Sequence, residues 1–352
     1  MLSGSNSFAN PLPGVPAVES PFFERIFTES LYSEETLRIA RDLHDTGYAV
    51  LDFPDNSIGE IADRIIADLR GSYDWQGWQN GKYNDLRIAD GWRVNQDVHC
   101  IAANPCIIDL LSVLYGRRAF PFQTLNFAVG TQQHVHSDSV HFSSNPERFM
   151  CGVWVALEDV DLDTGPLLYY PGSHKWPIYT NEHIGVDSAR SGDPYQHYPV
   201  YEGMWRQLID VHRAQPERFC ARKGQALIWT ANLLHGGDKM RDLDRTRWSQ
   251  VTHYYFEGCS YYTPMISEVF QGSIFFRDLG DAGSGTPVPH SVSGRAVDPR
   301  FVAEATRRAA ERLPIGFDGA VYLNLHPDVA AGGMDPAVHY IGYGRHEGRR
   351  WR

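Results

Sequence analysis

The stretch QQHVHSDSVHF, residues 132–142, holds three histidines and an aspartate within a few positions. On an extended chain, side chains two apart share a face, so His136 and Asp138 project together, with His134 behind them. That pair supplies two adjacent ligands for a divalent metal, and a third has to come from a distant segment. His235, at the end of the apolar run ALIWTANLLHGG and just before a Gly-Gly turn, is the best donor, 99 residues beyond His136. Two imidazoles and one carboxylate on one face leave positions open, which suits Fe(II) with O2 and a chelating co-substrate. The same three ligands also serve zinc or manganese hydrolases and cupin-type isomerases. Fifteen histidines make a chance HxD common, so the pair alone leaves these readings open. His134 and His141 read as substrate-facing or packed side chains, not ligands.

HGGDKMRDLDRTRWSQVTHYYF narrows the choice. Arg247 lies twelve residues after His235 at the start of a strand, and shares one face with Ser249, Val251 and His253. A guanidinium opening into a metal cavity needs an anion. Bidentate pairing suits the distal carboxylate of a 2-oxo diacid, for which a hydrolase has no use. Arg241 and Arg245, in the preceding turn, read as surface charge.

The elements that must position these residues are legible in outline. SEETLRIARDLHDTGYAVLDF reads as a helix running into a strand, with Ser33 as N-cap, Glu34 and Glu35 in the first turn and Gly47 at the exit. Thr36 stands where a full capping box would place Glu or Gln. Further helices fit IGEIADRIIADLRGS and CIIDLLSVLYGR. From about residue 120 to 275 the pattern becomes short β-rich runs divided by Gly, Pro, Asp and Ser, which predicts an antiparallel sandwich or barrel. The expected divisions are a loose arm over 1–20, a β domain over 21–279 with a lid-like insertion at 178–219, a linker over 280–297 and a small helical module over 298–352.

Composition excludes several classes. Net charge is −11, opposite to what a nucleic-acid or anionic-membrane surface needs. Cys100, Cys106, Cys151, Cys220 and Cys259 include no CxxC pair, so reduced thiols are expected rather than a disulfide framework. No signal peptide and no apolar run of membrane-spanning length are expected, and a cytoplasmic setting fits. The tail YLNLHPDVAAGGMDPAVHYIGYGRHEGR resembles a short module appended to bacterial enzymes, which implies a bacterial origin.

Four segments in order, HSDSVHF, GVWVALEDVDLDTGPLLYYPGSHK, KGQALIWTANLLHGG and RWSQVTHYY, resemble the phytanoyl-CoA dioxygenase family of Fe(II)/2-oxoglutarate-dependent oxygenases. The resemblance covers most of residues 35–265. It implies a mainly β fold with flanking helices, a double-stranded β-helix (a cupin-like jelly roll). It implies that His136, Asp138 and His235 ligate Fe(II), that Arg247 pairs with the 2-oxoglutarate C5 carboxylate, and that Trp154 and Thr124 line the co-substrate pocket. O2 is the second co-substrate, and succinate and CO2 are co-products. Gly237 stands where some relatives carry a co-substrate-binding Ser, so that contact is expected to be missing. Asp138 is retained, which disfavours halogenation.

The expected reaction is hydroxylation of an aliphatic carbon. The insertion is acidic and aromatic, which favours a small polar or sugar-bearing metabolite over an acyl-CoA or carrier-bound acyl chain. Substrate-side candidates are His141, His253, Tyr198 and His174, the last in a PGSHK turn read as structural first. The aromatic residues of the insertion, Tyr195, Tyr198, Tyr201 and Trp205 among them, read first as the lid's own small core. The C-terminal module is expected to serve protein or carrier docking.

Overall fold

Ser33 opens the first long helix, Glu34–Thr46, by accepting a hydrogen bond from the Thr36 N–H. Thr36 Oγ1 also lies 2.9 Å from Ser33 Oγ, so a hydroxyl pair takes the place of the missing Glu or Gln. Gly47 ends the helix in the left-handed region (φ 87°), and its Cα lies so close to the His174 ring that a side chain would overlap it. The computed structural model describes residues 8, 10–187, 195–310, 313–314, 316–334, 336–345 and 347–352. Residues 1–7 of the expected arm and 188–194 of the expected insertion lie outside the described residues.

The strands, in chain order, are β1 (Tyr48–Asp52), β2 (Arg87–Ala89), β3 (Ala119–Phe127), β4 (Ser143–Asn145), β5 (Met150–Ala156), β6 (Leu167–Tyr169), β7 (Glu217–Phe219), β8 (Gln225–Thr230), β9 (His235–Gly237), β10 (Ser249–Phe256) and β11 (Ser260–Tyr262). One sheet has the order β1-β8-β5-β10-β3-β2, a second β7-β6-β9, and β11 pairs with β4. Every one of these pairings is antiparallel. Two antiparallel sheets whose strands are mostly paired out of chain order form a jelly roll.

Period two explains why the strands read as continuous apolar runs. On β5, Val153 and Val155 face the helices while Trp154 and Ala156 face the second sheet. On β8, Ala226 and Ile228 alternate with Leu227 and Trp229 in the same way. Both faces are buried, and each large apolar side chain removed from water contributes roughly 1.5–3 kcal/mol. The outer face packs on the helices through Ile39, Leu43, Ile61, Ile65, Ile107 and Leu111. The inner face meets Tyr169 and Phe219 of the small sheet. Helices flank this β centre as expected, and by residue they outweigh the strands, so the whole is mixed α/β.

Three expectations need correction. Ala17 and Val18 are buried in a short turn on the core, so the loose arm stops before residue 20. The Pro/Gly-rich segment after residue 280 is not a tether. Ala282 is buried, its N–H donates to Pro121 O at 2.7 Å, and Ser291–Val292 pairs with Arg295–Ala296. The run Gln96–Tyr115 does reach membrane-spanning length and apolarity. It consists, however, of two helices, Gln96–Ala102 and Pro105–Tyr115, separated at the N-cap Asn104, and Val98, Ile101, Ile107, Leu111 and Leu114 belong to the core.

At the C-terminus, Pro299–Ala310 buries Ala305 and Ala309. Among the described residues three shorter α-helices follow, Gly319–Leu325, Pro327–Ala331 and Pro336–His339, the last continued by a π-helical turn Tyr340–Gly344, around Tyr322, Val329 and Tyr340. The spacing predicts two.

Candidate active site

His136 and His235 face each other across a single antiparallel bridge in which each backbone N–H donates to the other's carbonyl, at 2.9 and 3.0 Å. The HxD pair is therefore not on a regular strand. Asp138 opens a 3-10 turn, Asp138–Val140, capped by Ser137 Oγ accepting from the Ser139 N–H. The polar sequence HSDS lacks the apolar alternation that would carry a strand onward.

Each imidazole is tied back through its backbone side. His136 Nδ1 lies 2.9 Å from His134 O, and His235 Nδ1 lies 3.0 Å from Leu233 O. A carbonyl only accepts, so Nδ1 carries the hydrogen and Nε2 presents its lone pair. The two Nε2 atoms lie 3.7 Å from different oxygens of Asp138. One donor atom from each of the three residues falls within 4.8 Å of the others. Small rotations bring all three onto one ion at bonds of roughly 2.0–2.2 Å.

Electrostatics favour the state a metal needs. Burial pushes His136 down to about 3 and keeps it neutral. Burial opposes ionisation of Asp138, yet the His235, His253 and His136 imidazoles and the Trp229 N–H outweigh it, lowering the carboxyl to about 2. Trp229 Nε1 donates to Asp138 Oδ2 at 2.8 Å, fixing the carboxylate. His253 Nε2 stands 3.9 Å from the same oxygen, with Nδ1 3.1 Å from Gln123 Oε1.

The triad opens into a cavity of about 570 Å³. Its wall includes Arg247, Trp154, His141, His253 and Tyr198 among the expected residues. Arg247 is 1% exposed, and its Nε and Nη1 have no hydrogen-bond partner among the described residues. Its guanidinium carbon lies 5.7 Å from the Trp154 ring centroid, and the Trp154 Nε1 is also unpartnered. Burial pushes Arg247 down to about 10, against the pull of Glu158 and Asp85. An unpaired buried cation is costly. These orphaned donors fit a dicarboxylate co-substrate that reaches from the triad to Arg247.

Two expected residues do not face this cavity. Gln123, Leu125 and Phe127 line it from β3, so Thr124 points the other way, where its Oγ1 accepts from the Trp92 N–H at 3.4 Å. His174 packs on Gly47, holds His44 O through Nε2 at 3.2 Å, and lines a separate hollow with Glu19 and Arg148. His134 is exposed. Of the insertion, Tyr201 and Trp205 are buried not in a core of the insertion alone but against Val140, Leu234 and Met265 from outside it, while Tyr195 and Tyr198 reach the cavity.

Sequence reasoning missed Trp229, Gln123, Thr131 and Arg277, all on the cavity wall. Period two along FQTLNF and ALIWT carried the signal for Gln123 and Trp229. At Gly237 a Cβ would overlap Thr131 Oγ1, so Thr131 presents a hydroxyl where a side chain at 237 would stand.

A jelly roll with a His-x-Asp…His donor set and an unpaired arginine on the cavity wall has the fold and site of the Fe(II)/2-oxoglutarate oxygenase class. A family model described as Phytanoyl-CoA dioxygenase (PhyH) matches residues 78–244. The peroxisomal phytanoyl-CoA dioxygenase of Rattus norvegicus is 23% identical over 198 residues, 53% of this chain and 54% of the relative. The chain thus spans about half the length of that curated relative. Among solved structures, the alpha-ketoglutarate-dependent carbocyclase SnoK from nogalamycin biosynthesis aligns over 67% of this chain and 88% of its own, at 15% identity and TM-score 0.49. EctD from S. alaskensis, solved with 2-oxoglutarate and 5-hydroxyectoine, aligns over 85% of this chain and 93% of its own, at 17% identity and TM-score 0.48.

Proposed function

We propose that the protein is an Fe(II)- and 2-oxoglutarate-dependent dioxygenase that hydroxylates an aliphatic carbon of a small polar or sugar-bearing metabolite, with succinate and CO2 as co-products. The observation that carries this reading is Arg247, a buried guanidinium with unpaired donors on the wall of the cavity that also holds His136, Asp138 and His235. A metal hydrolase has no use for it.

In this reading His136, Asp138 and His235 hold Fe(II), and Arg247 pairs with the far carboxylate of 2-oxoglutarate, beside Trp154. Bound iron would supply O2 activation coupled to oxidative decarboxylation of the co-substrate. The chain's own residues do the rest. Trp229 orients Asp138. Leu125, Phe127, Leu167 and Val251 form an apolar wall that excludes water. His141 and Tyr198, with ring centroids 5.3 Å apart, border the space left for a substrate. Burial keeps His141 neutral, at about 4, able both to donate and to accept toward hydroxyl groups. An acyl-CoA or carrier-bound acyl substrate, the former suggested by the rat relative's name, is the second reading.

Anaerobic titration of metal-free protein with Fe(II) and then 2-oxoglutarate tests the proposal. A weak visible metal-to-ligand charge-transfer band is expected, reduced in Arg247→Ala and lost in Asp138→Ala. Tight metal binding with indifference to 2-oxoglutarate would overturn it and favour a hydrolase.

A further inference from the structure

The cavity has a second arginine that the reading above does not use. Arg277 follows the jelly roll, on a segment folded back along β11. Its N–H donates to Tyr261 O, and the Thr263 N–H donates to Phe275 O, both at 3.0 Å. Arg277 Nη1 donates to Thr263 Oγ1 at 3.3 Å, and the guanidinium carbon lies 4.7 Å from the Phe142 ring centroid. Nε is buried without a partner among the described residues, so the Nε edge of the fork stands unused. Among the described residues no carboxylate lies within ion-pair distance of it. Arg277 acts electrostatically on His141 and His253, whereas Arg247 neighbours Glu158 and Asp85.

Charge balance gives the edge a purpose. Among the described residues lining the cavity, Asp138 is the one carboxylate, against Arg87, Arg247 and Arg277. Arg87 is paired with Asp85 at 2.6 Å. In the proposed complex the divalent ion and Arg247 offset Asp138 and doubly charged 2-oxoglutarate, and Arg277 is left unbalanced. A chain with a net charge of −11 has no general excess of cations to account for this.

We propose that Arg277 anchors an oxyanion of the primary substrate, a carboxylate or a phosphomonoester, beside the Phe142 ring, and so selects anionic substrates. The proposal rests on the oxygenase reading and deepens it. A planar fork with a free edge recognises such a group by two parallel N–H···O bonds.

The test uses the Fe(II)·2-oxoglutarate complex, scored by perturbation of its visible band and, in air, by succinate release. The probes are short aliphatic and aromatic carboxylic acids, each beside its primary amide, and phosphomonoesters, each beside its parent alcohol. One oxyanion class is expected to bind about tenfold or more tighter than its neutral counterparts, and which class does so identifies the group. Arg277→Gln should abolish that preference, and Arg277→Lys should keep part of it. 2-Oxoglutarate affinity should stay within about twofold of wild type in both, because Arg247 holds that ligand. Equal binding of charged and neutral probes, no binding of any oxyanion, or an undiminished preference in Arg277→Gln overturns the proposal. The wild-type comparison decides alone should a variant not fold. Absence of the 2-oxoglutarate band from wild type is a different result, and counts against the oxygenase reading itself.

Discussion

The Trp229 indole N–H and Asp138 Oδ2 are joined by a buried 2.8 Å hydrogen bond across 91 residues of sequence. It links the inner face of β8 to the turn that carries the candidate carboxylate ligand. Gly152, opposite Trp229 in the sheet, makes the room, since a Cβ there would overlap the indole ring.

Trp229→Phe keeps the packing and removes the donor, freeing Asp138 to rotate. Metal affinity should fall roughly tenfold or more, as when the support of other ligand carboxylates is lost, with little change in Tm. Calorimetric titration with Fe(II) or Co(II) checks this, and unchanged affinity would show that the bond does not orient the ligand.

Arg247→Met should separate stability from co-substrate binding. Without 2-oxoglutarate the wild type buries a cation with unpaired Nε and Nη1, so the variant's metal-free form should be as stable or more so, by about 1–3 kcal/mol. Affinity for 2-oxoglutarate should fall by roughly 10- to 100-fold. Urea unfolding and anaerobic titration measure the two effects, and a variant both less stable and normal in binding would contradict the assignment.

The metal-free protein should lose stability on acidification well before its carboxylates titrate. Burial lowers His141, His174 and His253 to about 4 and His136 to about 3. Unfolded histidines take up protons near pH 6.5, and the folded state refuses them until about pH 4. Stability is therefore complete above the ordinary histidine value and falls as pH drops through that window, by up to roughly 1.4 kcal/mol per unit for each histidine. Asp138, lowered to about 2, adds a further loss only below the ordinary carboxylate range. Melting curves between pH 7.5 and 4.5 test the slope, and a flat profile would rule out neutral burial of these rings.

Thr124→Val and Thr131→Val distinguish the two sides of the cavity wall. Thr124 Oγ1 accepts the Trp92 N–H behind the wall, so its loss should cost about 1 kcal/mol of stability and leave 2-oxoglutarate binding unchanged. Thr131 lines the cavity, with its Oγ1 accepting from the Gln133 N–H at 3.4 Å beside Gly237, and loss of the hydroxyl should weaken ligand binding by up to about tenfold. Titrating both variants with 2-oxoglutarate decides, and the reverse order would restore Thr124 to the pocket.

What the sequence determined is what local rules govern. Ser33, Gly47 and the periodic Ile39, Ala40 and Leu43 fix the first long helix and its exit into β1, because capping and helical spacing act within a few residues. Alternation in β5, β8 and β10 fixes which side chains share a face, and so aligned Arg247, Val251 and His253 in advance. Residue chemistry singled out His136, Asp138 and His235. The tertiary structure decided the rest. No local pattern tells that Trp229 reaches Asp138, that His136 and His235 bridge, or that a segment after the last long strand turns Arg277 into the same cavity. Thr124 and His174 were misplaced for the same reason. The resemblance puts Thr124 at the pocket and the PGSHK turn puts His174 near it, whereas the direction of each is set by a strand's facing and by close packing on Gly47. Pairing between distant strands brings these groups together, and burial then gives them their charge states. Both are properties of the folded chain, invisible to any short window of it.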